Sequence, residues 1–205
     1  MTLTAEAEPA CPPRTPAGIE LSTGARPLDV SCESFESIDR ATWDRLAART
    51  PWATPFSRWA FHRAWWDAYG DTAHDETLVV RAGDGAAEPI GIIPLLHRHF
   101  AEPNDAATAT ELRHGHEPRL TQVAPTAKVT FFGASYHADY ATLLCRPEDL
   151  AGVADAFAGA LTQPGASDHP EPWDAVDLRR LRCADLAIDA LAAAMGRRRS
   201  NWAGR

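Results

Sequence analysis

Several groups of residues in this sequence have types and spacings that could do chemistry. Asp139-Tyr140 places a carboxylate beside a phenol at the start of an extended segment. A carboxylate there could orient an amine or hydroxyl acceptor. The expected reading, however, is that Asp139 caps a turn while Tyr140 packs into a sheet with its hydroxyl bonded. His97-x-His99 and His114-x-His116 flank a polar segment. Imidazoles two residues apart on a strand share a face, and zinc accepts them. No carboxylate or cysteine is fixed beside them by spacing, so a solvated His-rich loop is expected rather than a metal site. Trp59, Trp65 and Trp66 fall at helical spacing. Aromatic rings at that spacing are expected to form core, the alternatives being stacking on a sugar or lipid-linked acceptor or packing against another domain. Ser135 and His137 are close in sequence, but no G-x-S-x-G elbow surrounds the serine.

Composition narrows the classes further. Of 205 residues, 45% are apolar and 23% charged, as in an ordinary globular domain. The net charge of −8 argues against a nucleic-acid partner, because phosphate contact needs clustered Lys and Arg. Lys128 is the only lysine and sits in no Gly-rich loop, so neither a Schiff base nor a P-loop is expected. Cys11, Cys32, Cys145 and Cys183 form no C-x-x-C pair, so no zinc knuckle or redox motif is expected. The first residues lack a signal-peptide core, and no run reaches the roughly 18 apolar residues of a membrane span. A cytoplasmic chain is the resulting expectation.

These residues must be held by elements that the apolar pattern predicts. Residues 1–24 read as a disordered leader, and 25–205 as one folded domain. A strand is expected at 27–32 and a helix at 38–49, with Trp43, Leu46 and Ala47 on its buried face. Pro51 and Pro55 should leave an extended link. Ser57 should cap a helix that runs to Tyr69, with Gly70 as its C′ residue. Strands follow at 77–81 and 89–96, then a loop at 98–117, and strands at 129–132 and 140–145 about a turn at 133–139. Pro147 opens a helix to about Leu161, a strand covers 173–178, and a last helix covers 184–195. Gly196 should stop that helix, leaving Arg197-Arg198-Arg199 as a solvated end. The fold class is α/β, a mixed sheet covered by helices.

The order of elements and several short motifs together resemble one family. Pro55-Phe56-Ser57-x-Trp59, Ala64-Trp65-Trp66-x-x-Tyr69-Gly70, Gly91-Ile92-Ile93-Pro94-Leu95, Phe132-Gly133 with Asp139-Tyr140, and Trp173-Asp174-x-x-Asp177-Leu178 occur in sequence. They are similar to the CelD/FemAB-like acetyltransferases of the GNAT superfamily. The resemblance implies a GNAT-like sheet, here without its closing strands, and a parent enzyme that moves an acyl group from acetyl-CoA or another acyl-CoA. It also implies a saccharide or other small acceptor, with Trp65, Trp66, Asp139 and Tyr140 as candidate contacts. In that family the CoA site lies in a second GNAT repeat, which this chain is expected to lack. A second GNAT domain or a separately encoded half would then be its partner.

The corresponding turn in this chain points the same way. A GNAT enzyme holds the CoA pyrophosphate on backbone N–H groups at a helix start. Here that stretch reads Cys145 to Gly152, where Pro147 removes a donor and Glu148 and Asp149 add negative charge. No acyl-CoA is expected to bind this chain alone, and no catalytic residue is assigned. A non-catalytic binding module with a GNAT-like shell is the alternative expectation.

Overall fold

The computed structural model describes residues 28–83, 87–98, 129–134, 137–162, 173, 175–178, 181–182 and 185–202. The leader, His99, His114, His116, Lys128, Ser135, Cys11 and Cys183 lie outside these residues, as do the expectations placed on them. In chain order the elements are β1 (Leu28–Cys32), α1 (Arg40–Ala48), α2 (Trp59–Tyr69), β2 (His74–Asp75), β3 (Leu78–Ala82), β4 (Pro89–Ile93) and β5 (Leu95–Arg98). There follow β6 (Val129–Phe132), β7 (Leu144–Cys145), α3 (Leu150–Thr162), β8 (Ala175–Asp177) and α4 (Leu186–Trp202). The class is mixed α/β, with two four-stranded sheets ordered β1-β3-β4-β7 and β2-β5-β6-β8.

The segment expected as one strand over 89–96 is two strands in different sheets. Pro94 breaks it, because proline has no N–H to give to a ladder. Before the break, Ile92 pairs with Val79; after it, Leu96 pairs with Phe131. The Pro94 carbonyl accepts a 2.7 Å bond from the Gly133 N–H, which ties the two sheets together at the break. Ile92, Ile93, Leu95 and Leu96 are all buried, so the apolar run is core on both sides of it. Pairing is antiparallel except for β6 with β8, which are parallel and connected through α3. A parallel pair requires such a crossover.

Helix α1 starts at Arg40 because Asp39 caps it, its Oδ1 accepting from the Ala41 N–H at 2.8 Å. Trp43, Leu46 and Ala47 form its buried face, as the spacing predicts. They pack on Phe35, Ile38, Val79, Ile92 and Leu144. On the opposite side α3 and α4 pack together, with Val153, Phe157 and Leu161 meeting Ala187, Leu191 and Ala194. Gly91 in β4 lets α3 approach: a Cβ there would stand 2.6 Å from Val153 Cγ1. Gly91→Ala should therefore cost about 1–3 kcal/mol through overpacking. Urea unfolding checks this, and a midpoint equal to that of the parent would contradict it.

Three expectations about helix ends are corrected. Ser57 does not cap α2; it closes a 3-10 turn, Pro55–Ser57, where an extended link was expected. Its Oγ accepts from the Thr54 N–H at 3.1 Å, so it caps the turn instead. Gly70 is not in the left-handed region (φ −66°) and begins another 3-10 turn. A side chain there would strike Trp66, whose Cε3 lies 2.7 Å from the Cβ position, so close approach explains this glycine. Gly196 does not stop α4, which continues to Trp202. The continuation is anchored: Arg198 Nη2 donates to the Asp155 carbonyl at 3.0 Å and to Asp155 Oδ2 at 2.8 Å on α3. A mid-helix glycine costs only about 1 kcal/mol, so this anchoring can outweigh it. Arg197 also approaches Asp155, at 3.7 Å, so these arginines are not simply a solvated end.

Candidate functional site

The segment between β6 and β7 meets the end of α2, where His137 contacts both Trp65 and Tyr69. Residues 140–145 were expected as a strand, but only Leu144–Cys145 pair. Ala134 (φ 56°) and Tyr140 (φ 58°) both take the left-handed conformation, unusual for residues with a Cβ. His137, Asp139 and Tyr140 are all exposed. Tyr140 is 50% exposed, so it does not pack into the sheet.

Helix α2 supports this loop. Trp65 is 3% exposed, and its Nε1 donates to His137 Nδ1 at 3.2 Å. That bond makes Nδ1 the acceptor, which puts the proton of the neutral ring on Nε2. The His137 ring stacks on Tyr69 (centroids 4.4 Å apart, planes 17° apart), and Tyr69 is itself 46% exposed. Trp65 is therefore a buried prop with no free face for a ligand. Trp66 is partly buried and bridges two apolar clusters. Of the four predicted contact residues, Trp65 is buried and Trp66 partly buried, whereas Asp139 and Tyr140 are exposed, as are Tyr69 and His137.

Beneath the loop lies His62, which residue spacing alone did not bring forward. It is 3% exposed, against Trp43 on one side (centroids 5.1 Å apart) and Phe61 on the other (6.2 Å). Burial outweighs a hydrogen bond to the Phe56 backbone and pushes its pKa down to about 4. An exposed imidazole takes up its proton near pH 6.5, so the unfolded chain binds one more proton between these values. Stability is thus full above about pH 6.5 and falls as pH drops toward 4, by on the order of 3 kcal/mol. His62→Phe should flatten that slope. Unfolding midpoints at pH 7 and pH 5 test this, and equal slopes in the two proteins would speak against a buried neutral ring.

A second group missed by spacing pairs His97 with Glu76. Nδ1 and Oε1 are 2.5 Å apart, and both side chains are buried. The exposed His74 stacks on His97, with centroids 4.6 Å apart. The first histidine of the H-x-H pair thus points at a carboxylate from the segment after β2. Among the described residues, no group of three His, Cys, Asp or Glu side chains is arranged to hold a metal.

The turn at the start of α3 is filled by its own charges. Pro147–Asp149 form a 3-10 turn leading into α3. Arg146 Nε donates to Asp149 Oδ2 at 2.7 Å, and Arg146 Nη1 lies 3.3 Å from Glu148 Oε1. The Cys145 thiol beside it is buried, and burial, helped by the Asp149 and Glu148 carboxylates, pushes its pKa up to about 12. It offers no thiolate at neutral pH.

Comparison with known protein families, with curated proteins and with solved structures finds no match to this chain.

Proposed function

We propose that this chain is the acceptor-side domain of a GNAT-type acyltransferase, whose parent enzyme moves an acyl group from acyl-CoA onto an amine or hydroxyl. One observation carries the reading: His137 stacks on the Tyr69 ring, and Asp139 and Tyr140, the latter held in the left-handed conformation, are exposed just after it in the chain. Strained backbone held by its surroundings concentrates at ligand sites. Exposed rings next to a carboxylate suit a saccharide or similar small polar acceptor, stacking on its apolar face and bonding its hydroxyls. The strand–helix–helix–strand order and the motifs around Trp65, Gly91 and Asp139 support the GNAT-like assignment. The acidic turn at 147–149 supports placing the acyl-CoA on a second GNAT repeat, so that this half by itself transfers nothing. A cytoplasmic location accompanies the reading; among the described residues no helix is long and apolar enough to cross a membrane.

Co-expression with a downstream or separately encoded GNAT segment tests the proposal. Acyl transfer from CoA thioesters should appear only with both halves, and acetyl-CoA should not shift the amide spectrum of this chain alone. Tight acetyl-CoA binding at 147–149 would sink it. Within this reading, Tyr140→Ala should weaken acceptor binding by about tenfold, the worth of one aromatic stack. Because the side chain is half exposed, Tm should stay unchanged. Acceptor titration followed by NMR measures the first effect, and an unchanged affinity would remove Tyr140 from the site.

The acidic turn also favours a second reading, a non-catalytic binding module with the same shell. Acceptor binding without transfer under co-expression would select it.

A further inference from the structure

The point where the two sheets part is lined by small residues and by one buried imidazole. Phe56, His62, Pro94, Gly133, Ala138 and Thr142 line a small, partly enclosed gap of about 10 Å³. Neither backbone nor side chains can close it easily. Pro94 forces the strands apart, and a Cβ on Gly133 would stand 2.9 Å from Pro94 Cβ and 3.4 Å from His62 Cε1. Two polar groups here are poorly served by the protein. His62 Nδ1 is buried and has no protein hydrogen-bond partner. The Thr142 hydroxyl, on a residue 3% exposed, has one long local bond, 3.4 Å to the Leu143 carbonyl.

A gap of this size is about what one water requires, provided that two or more polar groups can bind it. The geometry points to a single internal water held between His62 Nδ1 and Thr142 Oγ1, a site that joins α2 to the segment between β6 and β7. In a neutral imidazole one nitrogen carries the proton and the other accepts, and Nδ1, which no protein group binds, is assigned the acceptor role. The water gives one proton to Nδ1 and exchanges its second bond with the Thr142 hydroxyl. Leaving both groups dry would cost more than immobilising one water, which is at most about 2 kcal/mol. The water also explains why a neutral, unprotonated ring is tolerated among Trp43, Phe61 and Phe35.

Water–protein cross-relaxation on the full labelled chain tests the site. The methyl protons of Ala138 and Ala141, which line the gap, should show a contact with a long-lived water. Oxygen-17 relaxation dispersion should count one fewer long-lived water in Thr142→Val and the original number in Thr142→Ser. Absence of the methyl contact in the parent chain would overturn the inference. So would equal counts in the Val and Ser variants. The parent-chain measurement decides the matter even if a variant fails to fold.

Discussion

Trp43→Ala should be the most damaging single truncation in α1, lowering stability by about 3–5 kcal/mol. The side chain is fully buried, edge-on to Phe35 at 5.4 Å, and its cluster joins α1 to β3 and β4 through Val79 and Ile92. It also acts as a strut between helices: Nε1 donates to the Ser57 carbonyl at 2.8 Å, at the turn that launches α2. Removing the ring opens a large cavity and leaves that carbonyl buried without its donor. Because whole domains are stable by only about 5–15 kcal/mol, the variant should be close to unfolding at ambient temperature. Trp43→Phe separates the two contributions. It keeps much of the packing and loses the hydrogen bond, so about 1–2 kcal/mol is expected. Urea titration followed by far-UV circular dichroism measures both. A loss below about 1 kcal/mol for the alanine variant would mean that α1 does not dock as described.

Glu76→Leu should cost about 1–3 kcal/mol, because it leaves the buried His97 ring without the carboxylate beside it. The position matters as much as the burial. Glu76 follows the two-residue strand β2, and its N–H is bonded to the Leu95 carbonyl at 3.0 Å. The close carboxylate–imidazole contact, 2.5 Å, therefore helps pin a very short edge strand onto β5. Replacing both partners together, as Glu76→Leu with His97→Leu, should recover much of the loss, since no polar group is then left behind. A double-mutant cycle gives the decisive number. Coupling well above 1 kcal/mol supports the pair, whereas additive effects within about 0.5 kcal/mol would show that the two side chains do not act on each other.

The legible parts of this molecule and the hidden ones differ in a physical way. The faces of α1 and α3, the strands β1, β3, β6 and β8, and the acidic start of α3 follow from apolar spacing and capping chemistry, which act within a few residues. Where two local rules compete, the structure departs from the sequence expectation. Gly70 and Gly196 look like helix stops, yet one makes room for the Trp66 ring and the other is carried through by Arg198 on Asp155. Tyr140 looks like a strand residue but takes the left-handed conformation and is exposed. His62 could have been found: with Trp59, Trp65, Trp66 and Tyr69 it falls on an i, i+3, i+4 stripe of α2, so the helix buries it with its neighbours. Glu76 carried no such signal, because an acid beside a strand is ordinarily solvated.

By itself, then, the chain's order of residues determined its class, the stretches that become helix or strand, and the sides that turn inward. It also set the negative charge at 147–149. Only the tertiary structure decided that the 89–98 segment divides between two sheets at Pro94, that Trp65 props His137 from 72 residues away, and that His97 meets Glu76. The reason lies in range. Periodicity and caps are energies between near neighbours, whereas a buried polar partner is chosen by whichever distant segment the folded sheet brings within hydrogen-bond reach.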